Sequence, residues 1–196
     1  TVGQLIHSAT QRLEQAQVGF GHGTQNAQQE ATWLILWSLG QPLDSALGTE
    51  ENSIENHPVT PDQQAQAATL IEVRIRPRKP AAYLTNEAWL MGVPFYVDER
   101  AIVPRSFIAE LLADPDQTGH LDYWLGEHTQ RVLDLCTGNG SLAVLAAMVY
   151  PDVVVDAADI SADALAVARI NVDKHDLADR ISLHTSDGLS DLSGPY

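Results

Sequence analysis

Apolar positions in the first fifteen residues recur with helical spacing. Val2, Leu5, Ile6, Ala9 and Leu13 share one face of an amphipathic helix, which Gly21-His22-Gly23-Thr24 ends. His22 is a candidate ligand or base, or simply a turn residue between two glycines. Asn26, with Gln29 three residues on, reads as the N-cap of a second helix through Trp33, Leu34 and Trp37 to Gly40. Residues 41–59 read as loop. Thr60-Pro61-Asp62-Gln63 is a capping box with proline at the first helical position, opening a third helix that carries Ala67, Leu70, Ile71 and Arg74 and stops before Pro77. The pattern then changes: Ala88-Trp89-Leu90 and Phe95-Tyr96-Val97 flank Met91-Gly92-Val93-Pro94, a β-hairpin. Ser106 caps a helix through Ile108, Leu111 and Leu112, which Asp114-Pro115-Asp116-Gln117-Thr118-Gly119 breaks.

From residue 131 the elements alternate: strand 131–135, helix 141–149, strand 153–158, helix 162–174 capped by Ser161, strand 181–184. Alternation of this kind requires a parallel sheet with right-handed crossovers. The expected fold is α/β, with a helical bundle over 1–79, a hairpin linker over 80–104 and the first half of a Rossmann-like domain from 105 to 196.

The candidate chemistry sits where the first strand of that domain ends. Val132-Leu133-Asp134-Leu135 runs into Cys136-Thr137-Gly138-Asn139-Gly140 and then an Ala/Leu/Val-rich helix. Glycines let a backbone approach a ligand closely, and the helix start offers unpaired N–H groups. A plain βαβ crossover with a tight turn would look similar. The next strand, however, ends in Asp159, 19 residues beyond Gly140, where a carboxylate can accept from two ribose hydroxyls. Asp156 lies three residues earlier and faces the other side of an alternating strand. A third acid, Asp187, follows the last strand.

Composition narrows the setting. One cysteine, Cys136, among 196 residues excludes an internal disulfide framework and a cysteine-based zinc cage, so no metal is expected and a cytoplasmic location is the default. No apolar run reaches the roughly 20 residues of a membrane span. The net charge of −15 disfavours DNA or RNA and suits a basic protein partner, or serves solubility alone. The single basic cluster, Arg74-Ile75-Arg76-Pro77-Arg78-Lys79, is a solvated helix end, or a contact for RNA or an acidic partner.

The Asp134 strand and its glycine turn resemble motif I of the class I S-adenosylmethionine (SAM) methyltransferases, and three acids at successive strand ends favour SAM over a nicotinamide. Further segments make the resemblance narrower: Phe20-Gly21-His22-Gly23-Thr24, Ala82-Tyr83-Leu84-Thr85-Asn86-Glu87-Ala88-Trp89, Phe95-Tyr96-Val97-Asp98-Glu99-Arg100 and Val103-Pro104-Arg105-Ser106. Together they resemble the bacterial protein-(glutamine-N5) methyltransferases. Cys136-Thr137-Gly138 and Tyr83-Leu84-Thr85-Asn86 fit the branch acting on large-subunit ribosomal protein three better than the release-factor branch, which typically has glycine-threonine-glycine and tyrosine-isoleucine-x-glycine. Phe107 and Gly188 depart from the family pattern.

The resemblance implies SAM as cofactor, held by Asp134, Cys136, Thr137, Gly138, Gly140, Asp159, Ile160, Asp187, Gly188 and Arg105. Asp187 would face the adenine amino group, and Arg105 would lie over the cofactor unless it pairs with an acid. It also implies a helical domain that holds a basic ribosomal protein. The family's Asn-Pro-Pro-Tyr catalytic loop is expected beyond Tyr196, so no catalytic residue is assigned within the chain. A truncated SAM-binding module without activity and a release-factor methyltransferase are the alternatives.

Overall fold

A computed structural model describes residues 1–21, 23–48, 53–113 and 128–196 of the chain. His22 and the helix-breaking segment 114–119 lie outside the described residues. The chain divides into two compact units, Thr1–Thr85 and Asn86–Tyr196.

The first unit is helical: α1 (Val2–Gln15), α2 (Ala27–Ser38), α3 (Pro61–Ile75) and a short α4 (Ala81–Thr85), with a 3-10 turn at Ile54–Asn56 inside the stretch read as loop. The apolar stripe of α1 is the buried one, Val2, Ile6, Ala9 and Leu13. It packs against Ala31, Leu34 and Ile35 of α2 and Ala67 and Ile71 of α3. Each fully buried leucine or isoleucine contributes about 1.5–3 kcal/mol to this core. Both expected caps form. The Asn26 side chain accepts from the Gln29 amide at 2.9 Å. Thr60 and Gln63 exchange bonds of 3.2 and 2.9 Å.

The basic cluster is used structurally. Arg74 is only 4% exposed. Its Nε donates to Glu30 at 2.6 Å and its guanidinium also donates to the Gly19 carbonyl at 2.8 Å. Thr24 Oγ1 donates to the other Glu30 oxygen at 3.0 Å. Arg76 pairs with Glu72, and Arg78 donates to the carbonyls of Ala16 and Gln17 at the end of α1. The reading of this run as a solvated helix end is therefore corrected at Arg74, while Arg76 and Arg78 are exposed. Sequence spacing could not reveal that a buried glutamate waits on the neighbouring helix.

The second unit opens with the hairpin β1 (Glu87–Leu90) and β2 (Val93–Tyr96), joined by a two-residue turn. Met91 and Gly92 both have positive φ, the conformation that matches strand twist in so short a turn. Its Phe95 belongs to the same core cluster as the sheet, so the hairpin lies within this unit. Helix α5 (Phe107–Ala113) follows, with Ser106 Oγ accepting from the Ile108 amide at 3.1 Å.

The strands β3 (Arg131–Leu135), β4 (Val154–Asp159) and β5 (Ile181–Thr185) form a parallel sheet in that order, connected by α6 (Ser141–Val149) and α7 (Ala162–Lys174). Two successive right-handed crossovers stepping the same way along a sheet put both helices on one face. Accordingly Val155, Ala157, Ile181 and Leu183 pack against Ala143, Val144 and Ala147 of α6 and Val172 of α7. The other face carries exposed Leu135 and Val154 around a charged group. Asp156, 3% exposed, pairs there with Arg131 and with His184 at 2.7 Å. Burial pushes the Asp156 carboxyl up, but bonds from Arg131 and His184 more than offset it, leaving the group below the usual carboxylate range.

Candidate cofactor site

Parallel strands deliver their C-terminal ends to one edge of the sheet, so Asp134 and Asp159 arrive side by side and Asp187 follows two residues after β5. At this edge lies a cleft of about 440 Å³. Four stretches line it: Ile102 to Ile108 in part, Leu112 of α5, Val132 to Asn139, and Ser141, Leu142 and Ala146 of α6. Of the expected cofactor residues, Arg105, Asp134, Cys136, Thr137 and Gly138 line the cleft. Gly140, Asp159, Ile160, Asp187 and Gly188 do not.

Asp134 organises the turn. Its Oδ2 accepts from Thr137 Oγ1 at 2.6 Å and from the Ala143 amide at 3.1 Å. Ala143 is the third residue of α6, whose N-cap Gly140 has no side chain, so the strand acid performs the capping that the helix start lacks. Burial raises the Asp134 carboxyl above its ordinary range, and the charge of Asp159 adds to that, while the bonds from Thr137 and Ala143 pull the other way. A carboxylate in this condition gains from any cation brought against it.

Asp159 takes two backbone amides, Gly138 N through Oδ2 at 2.9 Å and Ser161 N through Oδ1 at 2.9 Å. It thereby joins the end of β4 to the glycine turn, and each oxygen keeps a further lone pair. Gly138 has φ +57°, and a Cβ there would meet nothing within 4 Å. Gly140 differs. At φ +79° its missing Cβ leaves room for Ala168 of α7, which a methyl would approach to 3.1 Å. Gly140 thus serves helix–turn packing. Cys136 is exposed and also has positive φ, +61°. Arg105 is exposed at the cleft and pairs with no acid among the described residues. Ile160, Asp187 and Gly188 are exposed just past their strands.

Asn139 is the cleft residue that sequence reasoning passed over. It occupies the variable place between two glycines, where pattern carries no information about the side chain. It is 3% exposed, and its Nδ2 is buried without a partner among the described residues. Among those residues no group of three or more His, Cys, Asp or Glu side chains is placed to hold a metal ion, and no helix is long and apolar enough to cross a membrane.

A parallel sheet, a glycine turn after its first strand and an acid at the end of the next define a Rossmann-like domain, and residues 119–196 match the methyltransferase small domain family. Along nearly its whole length the chain is similar to ribosomal protein uL3 glutamine methyltransferases. It is 49% identical over 187 residues to that protein of Burkholderia pseudomallei, covering 95% of this chain and 58% of the relative. It is 45% identical to the Bordetella pertussis protein, covering 93% and 59%, and 42% identical to that of Neisseria meningitidis serogroup A, covering 100% and 62%. The chain therefore spans about three fifths of the length of the curated relatives it matches.

Proposed function

We propose that this chain is the substrate-holding and cofactor-binding part of a SAM-dependent methyltransferase that modifies a glutamine side-chain nitrogen of ribosomal protein uL3. The observation that carries the reading is the ordered, end-to-end similarity to uL3 glutamine methyltransferases, through the helical unit, the hairpin and the cleft alike.

The residues present suit the cofactor. Asp134, raised by burial, lies on the cleft wall and would neutralise the ammonium of the SAM amino-acid end. Cys136, Thr137 and Gly138 bring backbone to the same wall, where a side chain at Gly138 would project into open space. Asp159 retains acceptor capacity for ribose hydroxyls. Ile160, Asp187 and Gly188 are proposed for the ribose and adenine side, and Arg105 for the cofactor's outer face. When bound, SAM supplies an electrophilic methyl on a sulfonium. A glutamine amide is a weak nucleophile, so the protein's share is to hold donor and acceptor in line. In this proposal the groups that hold the amide belong to the Asn-Pro-Pro-Tyr loop expected beyond Tyr196.

Charge supports a basic substrate. The unit Asn86–Tyr196 carries eighteen acids and six bases, the unit Thr1–Thr85 eight and five. Most of the attraction for a basic ribosomal protein would come from the methyltransferase unit.

Transfer of labelled methyl from SAM to purified uL3, with release factors as competitors, tests the reading. Label in uL3 is expected from a protein that carries this chain together with the Asn-Pro-Pro-Tyr loop, while this chain alone should bind SAM without transferring label. Label confined to release factors would move the substrate to the sister branch, and absence of SAM binding by calorimetry would refute the cofactor assignment.

A further inference from the structure

Asn171, in the middle of α7, has no solvent exposure. It spends its amide on two backbone segments far apart in the chain. Its Oδ1 accepts from the Tyr96 amide at 2.7 Å, and its Nδ2 donates to the Tyr96 carbonyl at 2.9 Å and to the Asn139 carbonyl at 2.8 Å. Both Nδ2 hydrogens are used, one on β2 and one on the glycine turn. The Tyr96 pair stands in for the strand that β2 lacks on that side.

The neighbouring positions on the same helix face act in the same two directions. His175, one turn on, places Nε2 3.0 Å from the Pro94 carbonyl, and its ring lies 5.4 Å from that of Phe95. Ala168, one turn back, fills the space that Gly140 leaves. The Asn139–Gly140 peptide is thus tied at both ends, its carbonyl to Asn171 and its N–H to the Thr137 carbonyl at 2.9 Å. Two hydrogen bonds in different directions fix the plane of a peptide.

We propose that Asn171 is a positioning residue for the cofactor turn, setting the orientation of the Asn139–Gly140 peptide against β2. The inference rests on the reading of the cleft as the SAM site. Without Asn171 the Asn139 carbonyl becomes an orphan acceptor in a turn whose Asn139 Nδ2 already has no partner among the described residues. The turn then relaxes, and the wall beside Asp134 moves with it.

The test compares Asn171→Leu and Asn171→Ser with Val172→Ala, a cavity at the adjacent, fully buried core position. Serine is small enough to admit water to the three freed groups, so it carries the comparison should the leucine variant fail to fold. Urea denaturation ranks stability, calorimetry measures SAM affinity, and amide hydrogen exchange reads the turn without cofactor. Expected for both Asn171 variants are a SAM affinity at least about 10-fold weaker and turn amides at Gly138 and Gly140 exchanging about 10-fold faster or more. Val172→Ala, at equal or greater loss of stability, keeps affinity and turn exchange close to the parent. Affinity that merely follows stability across the three variants overturns the proposal, as does turn exchange unchanged in the Asn171 variants. If the parent chain binds no SAM, the cofactor reading fails, while the exchange data still decide whether Asn171 holds the turn.

Discussion

Gly138 and Gly140 sit two residues apart in one turn, both with positive φ, yet alanine should affect them very differently. The left-handed region costs an L-residue about 1–2 kcal/mol at either position. At Gly138 nothing more is added, because the new methyl meets no atom within 4 Å. At Gly140 the methyl comes to 3.1 Å from the Cβ and 3.2 Å from the Cα of Ala168. The second contact is with helix backbone, which cannot rotate away, so α7 or the turn must shift. Overpacking of this kind adds about 1–3 kcal/mol. Gly140→Ala is therefore expected to destabilise the second unit by about 2–5 kcal/mol, and Gly138→Ala by about 1–2 kcal/mol. Gly92, with φ +76° and open space around it, is the control for left-handed strain outside the site. Urea unfolding monitored by far-UV circular dichroism should place Gly140→Ala clearly below the other two, which should fall together. Coincident midpoints for all three would refute the packing argument and show that α7 yields by the few tenths of an ångström required.

Three further outcomes follow from the electrostatics. Asp134→Asn should weaken SAM binding by about 10–100-fold in calorimetry, since the proposed charge-assisted bond to the ammonium would be lost; its melting temperature should equal or exceed the parent's, because burial raises this acid and its charge opposes folding. Glu30→Gln should cost the first unit about 3–5 kcal/mol in urea unfolding by leaving Arg74 buried without its anion, the two side chains being 3% and 4% exposed. Asp98, held down to about 2 by its bond with Arg100, and Asp156, held down by Arg131 and His184, both have folded values below the unfolded one. Stability from each is complete above about pH 4 and is lost as pH falls through the folded value. Asp98 is partly exposed and contributes about 1 kcal/mol at most, so an acid titration should show its main loss below pH 4 diminished in Asp156→Asn and nearly unchanged in Asp98→Asn.

The elements that could be read from the chain are those whose signal is local. The α1 stripe, the Asn26 and Thr60 caps, the Ser106 and Ser161 starts and the alternation from 131 onward each depend on residues within a turn of one another, and each recurs in the structure. Spacing also placed Asp156 and Asp159 on opposite faces, and the structure uses them oppositely, one as a buried ion-pair partner and one as a bridge to the glycine turn. The hairpin was legible as a hairpin, while its place in the sheet's core through Phe95 was not. Arg74 was misread for a related reason: a charge run looks solvated until a partner on another helix is known.

Helix α6 shows why the remainder had to come from three dimensions. Its Ser141–Val149 run is short and apolar, with a glycine N-cap, no acid in its first turn and no base in its last. Judged locally only Asn139, whose Oδ1 accepts from the Ser141 amide at 3.3 Å, serves its free ends, and so short a helix is marginal alone. The structure supplies both ends from other elements. Asp134 of β3 accepts the Ala143 amide, and Arg180, just before β5, donates to the carbonyls of Ala147 and Tyr150 at 2.6 and 2.7 Å and to that of Val153. The acid proposed to hold the cofactor is thus also a cap for the helix. The bonds from Thr137 and Ala143 lower the Asp134 carboxyl only part of the way against its burial, so capping and desolvation pull in opposite directions on one residue.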